Sequence, residues 1–188
     1  SNTNCNHCIT YLLISIYNND ATNITTMNIF YLHSCPDTAA RLQYNKHVVK
    51  MILETAQLLC TAHRELGNDN VPYKSTHRNQ PSAIWARQDA FNYVWLYKHM
   101  IGLGDEYRRR YNRDHLTILK CKDVLKNPPP GLEYNQFVEP PQCMPDEYKV
   151  QGNAIHGYWR YYVCGKREIA SNTEQLYTEV PSWVIQSA

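Results

Sequence analysis

Lys46, Lys50 and Glu54 stand four residues apart in the stretch Asn45 to Leu59, NKHVVKMILETAQLL. On a helix this spacing sets two amines and a carboxylate along one edge. An amine beside a carboxylate can attack an electrophilic carbon and then move a proton. A lysine does so only when unprotonated, and from about 10.4 it must be brought down by burial or by a second cation. Lys46 and Lys50, one turn apart, act on each other in that sense, and Glu54 opposes it. Lysine before glutamate supports a helix less well than the reverse order, so local stability does not explain the arrangement. The competing reading is that these charges are the wet side of an amphipathic helix. His47 falls two turns before Glu54 and is a further acid-base candidate on the same face.

The element that must hold this edge is a helix with one buried face, predicted from Val48, Val49, Ile52, Leu53, Ala56 and Leu59. Ser34, Pro36 and Asp37 give its start, and Gly67, the NDN that follows and Pro72 stop it near Leu66. Ahead of it, NIFYLH from Asn28 to His33 predicts a short buried strand or an extended lead-in. A second helix is predicted from Pro81 to about Tyr111, with Phe91, Val94, Trp95, Met100 and Ile101 on its apolar side. Gly102 and Gly104 mark where it loosens or kinks as another element approaches. A short helix follows around His115 to Lys126. PPPG at 128–131, with Pro140, Pro141 and Pro145, predicts a long loop to Gly152. NAIHGYWRYYVCGKREIA then predicts a final helix, and the tail with Pro181 and Trp183 is expected to pack back over the body.

With 188 residues the chain has the size of one domain. Nineteen Lys and Arg against seventeen Asp and Glu leave a formal charge of +2, so binding to nucleic acid would rest on a local patch. The seven cysteines, at 5, 8, 35, 60, 121, 143 and 164, are odd in number and scattered, which predicts a reducing cytoplasm and no disulfide framework. Residues 1–26 are rich in Asn and Thr around CITYLLISIY, a ten-residue run too short to span a bilayer and without the flanks of an export signal. We read them as an N-terminal extension, outside the native core or packed as an extra strand or helix, ahead of a natural start at Met27. Residues 27–188 are then read as a single helical domain. Cys5, His7 and Cys8 form a C-x-x-C without a second pair at zinc-finger spacing, so no metal site is expected. With no Gly-rich phosphate loop, H-E-x-x-H or Ser-centred elbow in the sequence, no cofactor and no membrane partner are expected.

Two further patches carry candidate binding residues. EYRRRYNR holds Arg109 and Arg110 in a cluster larger than a helix dipole needs, and such a cluster faces phosphates readily. In the last helix Trp159, Tyr161 and Tyr162 alternate with Arg160 and Lys166, which fits a surface that stacks bases or, equally, an aromatic core helix. His77 precedes the Pro81 helix where a ligand-facing loop is expected, and Arg87 lies on that helix.

Asn45, Lys46, Lys50 and Glu54, the loop-to-helix HRNQPSAIW, the EYRRRY ending and the late YWRYYVCGK together resemble the phage-type pyrimidine-dimer DNA glycosylases, the endonuclease V enzymes. The likeness runs through most of residues 27–170 as spaced short motifs. It implies an all-α, compact helical domain with a short N-terminal extended segment. It also implies a catalytic glutamate at Glu54, because the glutamate-bearing helix of that family matches KHVVKMILET. The family's aromatic and basic C-terminal cluster, which contributes to dimer recognition, is similar to Trp159, Arg160, Tyr161, Tyr162 and Lys166. The implied chemistry is attack of an amine on sugar C1′, expulsion of the base and an imine, with a carboxylate assisting proton movement and strand cleavage. In the family that amine is the terminus of a threonine exposed by removal of the initiator. Here Asn28 follows Met27, and Gln80 stands where relatives tend to show His. Lys46 or Lys50 would have to substitute.

Three functions follow as expectations. The first is a DNA-acting glycosylase or base-processing enzyme, with Glu54 as acid or base and Lys46 or Lys50 as nucleophile or phosphate ligand, reaching its base by flipping. The second is an enzyme on the same scaffold that handles a nucleotide or modifies a base without an imine. The third is a non-catalytic helical protein that holds nucleic acid or protein through the Arg cluster and YWRYY.

Overall fold

The computed structural model describes residues 27–166 and 169. Every regular element among them is helical and none is a strand, so the fold is all-α. The helices are α1 (Pro36–Arg41), α2 (Asn45–Glu65), α3 (Pro81–Ala86), α4 (Ala90–Tyr111), α5 (Leu116–Cys121) and α6 (Ala154–Arg160). A 3-10 turn at Asp146–Tyr148 precedes α6, and a π-helical turn, Tyr161–Gly165, continues it. Residues 1–26, with Cys5, His7 and Cys8, and the tail with Pro181 and Trp183 lie outside the described residues.

The long helices α2 and α4 pack on each other and carry the core. Helix α1 crosses α4 where glycine allows it. A Cβ on Gly102 would lie 2.9 Å from Asp37 Oδ1 and 3.2 Å from Asp37 Cα, too close for any larger residue without a shift. Helix α2 ends as predicted, at Gly67 with φ +89°, where Asn68 N–H returns to the His63 carbonyl at 2.9 Å.

Both predicted long helices are broken, and each break has a chemical cause. The first is interrupted at Leu42 to Tyr44, where the Arg110 guanidinium of α4 donates to the carbonyls of Arg41 (3.1 Å) and Gln43 (2.8 Å). The Arg41 carbonyl is an orphan at a helix end and that of Gln43 belongs to the connecting turn, and both are satisfied from outside. The second is interrupted before Ala90 because Asp89 caps α4. Its carboxylate accepts from Phe91 N–H at 2.8 Å and also from the N–H groups of Asn135 (3.0 Å) and Gln136 (2.8 Å), which ties the proline-rich loop to the helix start. Helix α5 starts where predicted, capped by His115, whose Nδ1 accepts from Thr117 N–H at 3.1 Å, and ends at Cys121, short of the predicted Lys126.

Met27 to Leu32 is the extended lead-in, buried throughout without strand partners. Its backbone is satisfied by side chains. Met27 N–H donates to Gln80 Oε1 (2.7 Å), Ser82 Oγ donates to the Met27 carbonyl (2.9 Å), and Trp159 Nε1 donates to the Leu32 carbonyl (2.8 Å). Asn28 Oδ1 accepts from Phe30 N–H at 3.0 Å, and Phe30 takes φ +55°, a left-handed conformation that costs a bulky residue on the order of 1–3 kcal/mol.

Candidate functional site

The open face of α2 is wider than its sequence pattern suggested. Val49 and Leu53, expected in the core, are each 39% exposed. The buried stripe instead follows Val48, Met51, Ile52, Thr55, Ala56, Leu58 and Leu59, one step round the helix. Val49, Leu53, Lys46, Lys50 and Glu54 therefore follow one another around the other side, an apolar ridge running into charges, with His47 at its buried edge.

Glu54, whose side chain is 17% exposed, accepts an ion pair from Lys50 at 3.0 Å. Lys50 itself is 69% exposed, so the burial that a lysine nucleophile needs is absent. Lys46 is exposed as well and has no ion pair among the described residues. His47 is buried, its ring stacked on Phe30 at 4.2 Å and 17°. Burial, then the Lys166 ammonium, then that of Lys50 bring its pKa down from 6.5 to about 3, so the imidazole is neutral at physiological pH. Lys166 lies 5.1 Å from the centre of the Tyr161 ring, and Tyr161 leans on Tyr148 (5.3 Å) and Phe30 (6.4 Å). The start of α2, the lead-in and the π-helical turn thus meet around His47.

Other predicted binding residues have internal roles. Trp159 is 1% exposed and spends its indole N–H on Leu32, and Tyr162 is fully buried, so neither can stack a base from the surface. The helix they sit on packs its aromatic side inward, and only Tyr161 of the three is partly open. Arg160 is half-exposed and donates to the Glu147 carbonyl at 2.8 Å. Arg110, 14% exposed, bonds Glu106 Oε1 (2.9 Å), Asn45 Oδ1 (2.9 Å) and the carbonyls of Arg41 and Gln43, so Arg110 and Asn45 form a structural clamp rather than a phosphate site. Arg109 donates to Glu106 twice, from Nε to Oε2 at 3.1 Å and from Nη2 to Oε1, and its side chain is 57% exposed. Glu106 is 4% exposed; burial raises its pKa, and the hydrogen bonds and charges of Arg109 and Arg110 outweigh that and leave it below the usual value. Arg108 pairs with Asp114 (2.7 Å) and Arg113 with the Tyr107 hydroxyl (3.0 Å).

His77 is exposed at φ +47°, with Gln80 Nε2 3.4 Å from its Nδ1. Arg87, just past the end of α3, donates through Nη2 to the Arg78 carbonyl at 2.7 Å, while its Nη1 is buried without a partner. Sequence reasoning missed Phe30 and Tyr44, which wall His47. The consecutive apolar residues Ile29 to Leu32 signal burial there and carry no sign of a left-handed phenylalanine.

Among the described residues no group of three or more His, Cys, Asp or Glu could hold a metal ion, and no helix is long and apolar enough to cross a membrane. No family model, curated protein or solved structure matches the chain.

Proposed function

We propose that the protein is a base-processing enzyme acting on DNA, of the pyrimidine-dimer glycosylase type, in which Glu54 is the acid or base. The observation that carries this reading is the open edge of α2. There Glu54 and Lys50 touch at 3.0 Å, while Lys50 and Lys166 both act on His47. A carboxylate, two cations, a neutral imidazole and a half-open tyrosine are groups that suit a flipped nucleotide and its phosphates. The resemblance of KHVVKMILET and YWRYYVCGK to the glycosylase family supports the same pairing of segments.

The exposure of Lys50 favours a second reading, in which Lys50 orients Glu54 or a phosphate and no imine forms. Borohydride reduction on abasic DNA separates the two, since only an imine leaves protein covalently attached. Glu54→Gln tests both. Cleavage of ultraviolet-damaged DNA is expected to fall about 10²–10⁴-fold with binding nearly unchanged. A variant that keeps its rate leaves only a binding protein.

A further inference from the structure

The Tyr162 hydroxyl has two neighbours. Tyr44 N–H donates to its oxygen at 2.7 Å, and His47 Nδ1 lies 2.8 Å from the same atom. Tyr162 is fully buried, so the hydroxyl hydrogen cannot turn to water, and Nδ1 is its only acceptor among the described residues. Were Nδ1 to carry the hydrogen, the hydroxyl would receive two donors and bury its own hydrogen unpaired, at a cost of about 1–3 kcal/mol. The ring cannot swing away. Tyr44 stacks on it at 4.2 Å and 8°, and the Tyr44 hydroxyl donates to the Tyr162 carbonyl at 2.9 Å. Phe30 covers the imidazole itself. His47 Nε2 makes no hydrogen bond to a described residue, and it is not one of the fully buried unpartnered atoms.

We propose that Tyr162 is a positioning residue that fixes His47 as a neutral Nε2–H donor, and that this donor, with Lys50 and Lys166 beside it, receives an anionic oxygen of a phosphate-bearing ligand. The tautomer follows from hydrogen-bond accounting alone, and the phosphate rests on the DNA reading above. His47 is then a hydrogen-bond donor and not the acid-base group its sequence position suggested. Its hydrogen stays on Nε2 throughout, and two ammonium groups supply the charge that an imidazolium would have brought. Holding the imidazole neutral keeps that donor independent of pH through the neutral range.

The assignment is read directly from protein labelled with ¹⁵N-histidine. A long-range proton-nitrogen correlation is expected to show His47 protonated at Nε2 and bare at Nδ1. A hydrogen on Nδ1 overturns the proposal. Tyr162→Phe removes the fixing donor and is expected to give the averaged pattern of exchanging tautomers; an unchanged pattern also overturns it. Inorganic phosphate is the probe for the second half, followed by the shift of the Nε2–H resonance in the wild type; a resonance that does not move overturns that half. His47→Gln, whose amide N–H reaches a similar place, is expected to hold phosphate within about threefold, and His47→Leu to lose about tenfold or more. Equal affinity in those two variants overturns the donor role even if the Tyr162 variant fails to fold. The tautomer is measured without DNA. An inactive protein with hydrogen on Nε2 therefore removes only the proposed function, and an active one with hydrogen on Nδ1 removes only this inference.

Discussion

The last turn of α4 and the first three turns of α2 both present dense charge, and the two regions dispose of it differently. At the end of α4, Glu106 is buried and draws Arg109 and Arg110 onto itself, and Arg110 goes on to close the ends of α1 and α2. Along α2, Lys50 and Glu54 satisfy each other at the surface, and among the described residues Lys46 has no ion pair and His47 Nε2 no hydrogen-bond partner. Three consecutive arginines look the denser patch in a sequence, yet Arg110 commits four of its five N–H donors inside the fold. Charge density in a sequence does not tell which donors the fold leaves uncommitted.

That contrast can be broken by exchanging its costs. Glu54→Gln is expected to cost rate and leave the unfolding midpoint in urea unchanged, whereas Arg110→Ala is expected to cost stability, about 3 kcal/mol, because it strips a buried carboxylate of its best-buried partner. Arg109→Ala, on the exposed arm of the same cluster, should cost under about 1 kcal/mol. Equal losses for the two arginines would mean that the clamp is no different from an ordinary surface pair.

Acid separates the regions next. His47 stays neutral in the folded chain down to about pH 3, and His99, fully buried against the Pro36 carbonyl, down to about 4. An unfolded histidine takes a proton near pH 6.5. Below that value the unfolded state binds more protons, so stability is complete above it and falls as pH drops, by about 1.4 kcal/mol per pH unit for each histidine. Glu106 behaves as a depressed carboxyl, contributing above its unfolded value of 4.5 and losing that contribution as pH falls through its lower folded one. Urea titrations across pH are expected to show the imidazole loss first and the carboxylate loss only in stronger acid. His47→Gln should reduce the first slope and leave the second. The smallest effect is expected at Leu53. Leu53→Lys should change stability by less than about 0.5 kcal/mol, and a larger loss would return that residue to the core.

The helical character, the stop at Gly67, the close approach at Gly102 and the extended lead-in were legible in the sequence, because each follows from periodicity or from a residue with a special backbone. The breaks at Leu42 to Tyr44 and at Asp89 were not, since they are made by Arg110 and by Asn135 and Gln136 at distant positions. At the site, the spacing of Lys50 and Glu54 announced their contact, as an i,i+4 pair must. The pattern of YWRYY left surface and core open, and burial of Trp159 and Tyr162 decided for the core. Nothing local in NIFYLH or in Tyr162 could announce the hydroxyl that meets His47, because 115 residues separate the two partners.

The lead-in has a consequence for synthesis. Leu32 is tied to Trp159 across 127 residues and Asn28 to Cys143 across 115, so the slot that shelters this segment is completed by residues far along the chain. A nascent chain can therefore cover Met27 to Leu32 only in part, through Gln43, Gln80, Ser82 and Trp95, until α6 has left the ribosome. Folding is then a closing event, slow in the way of contacts between distant parts of a chain, and a polypeptide cut short before Ala154 would be left with an adhesive end rather than a smaller native protein.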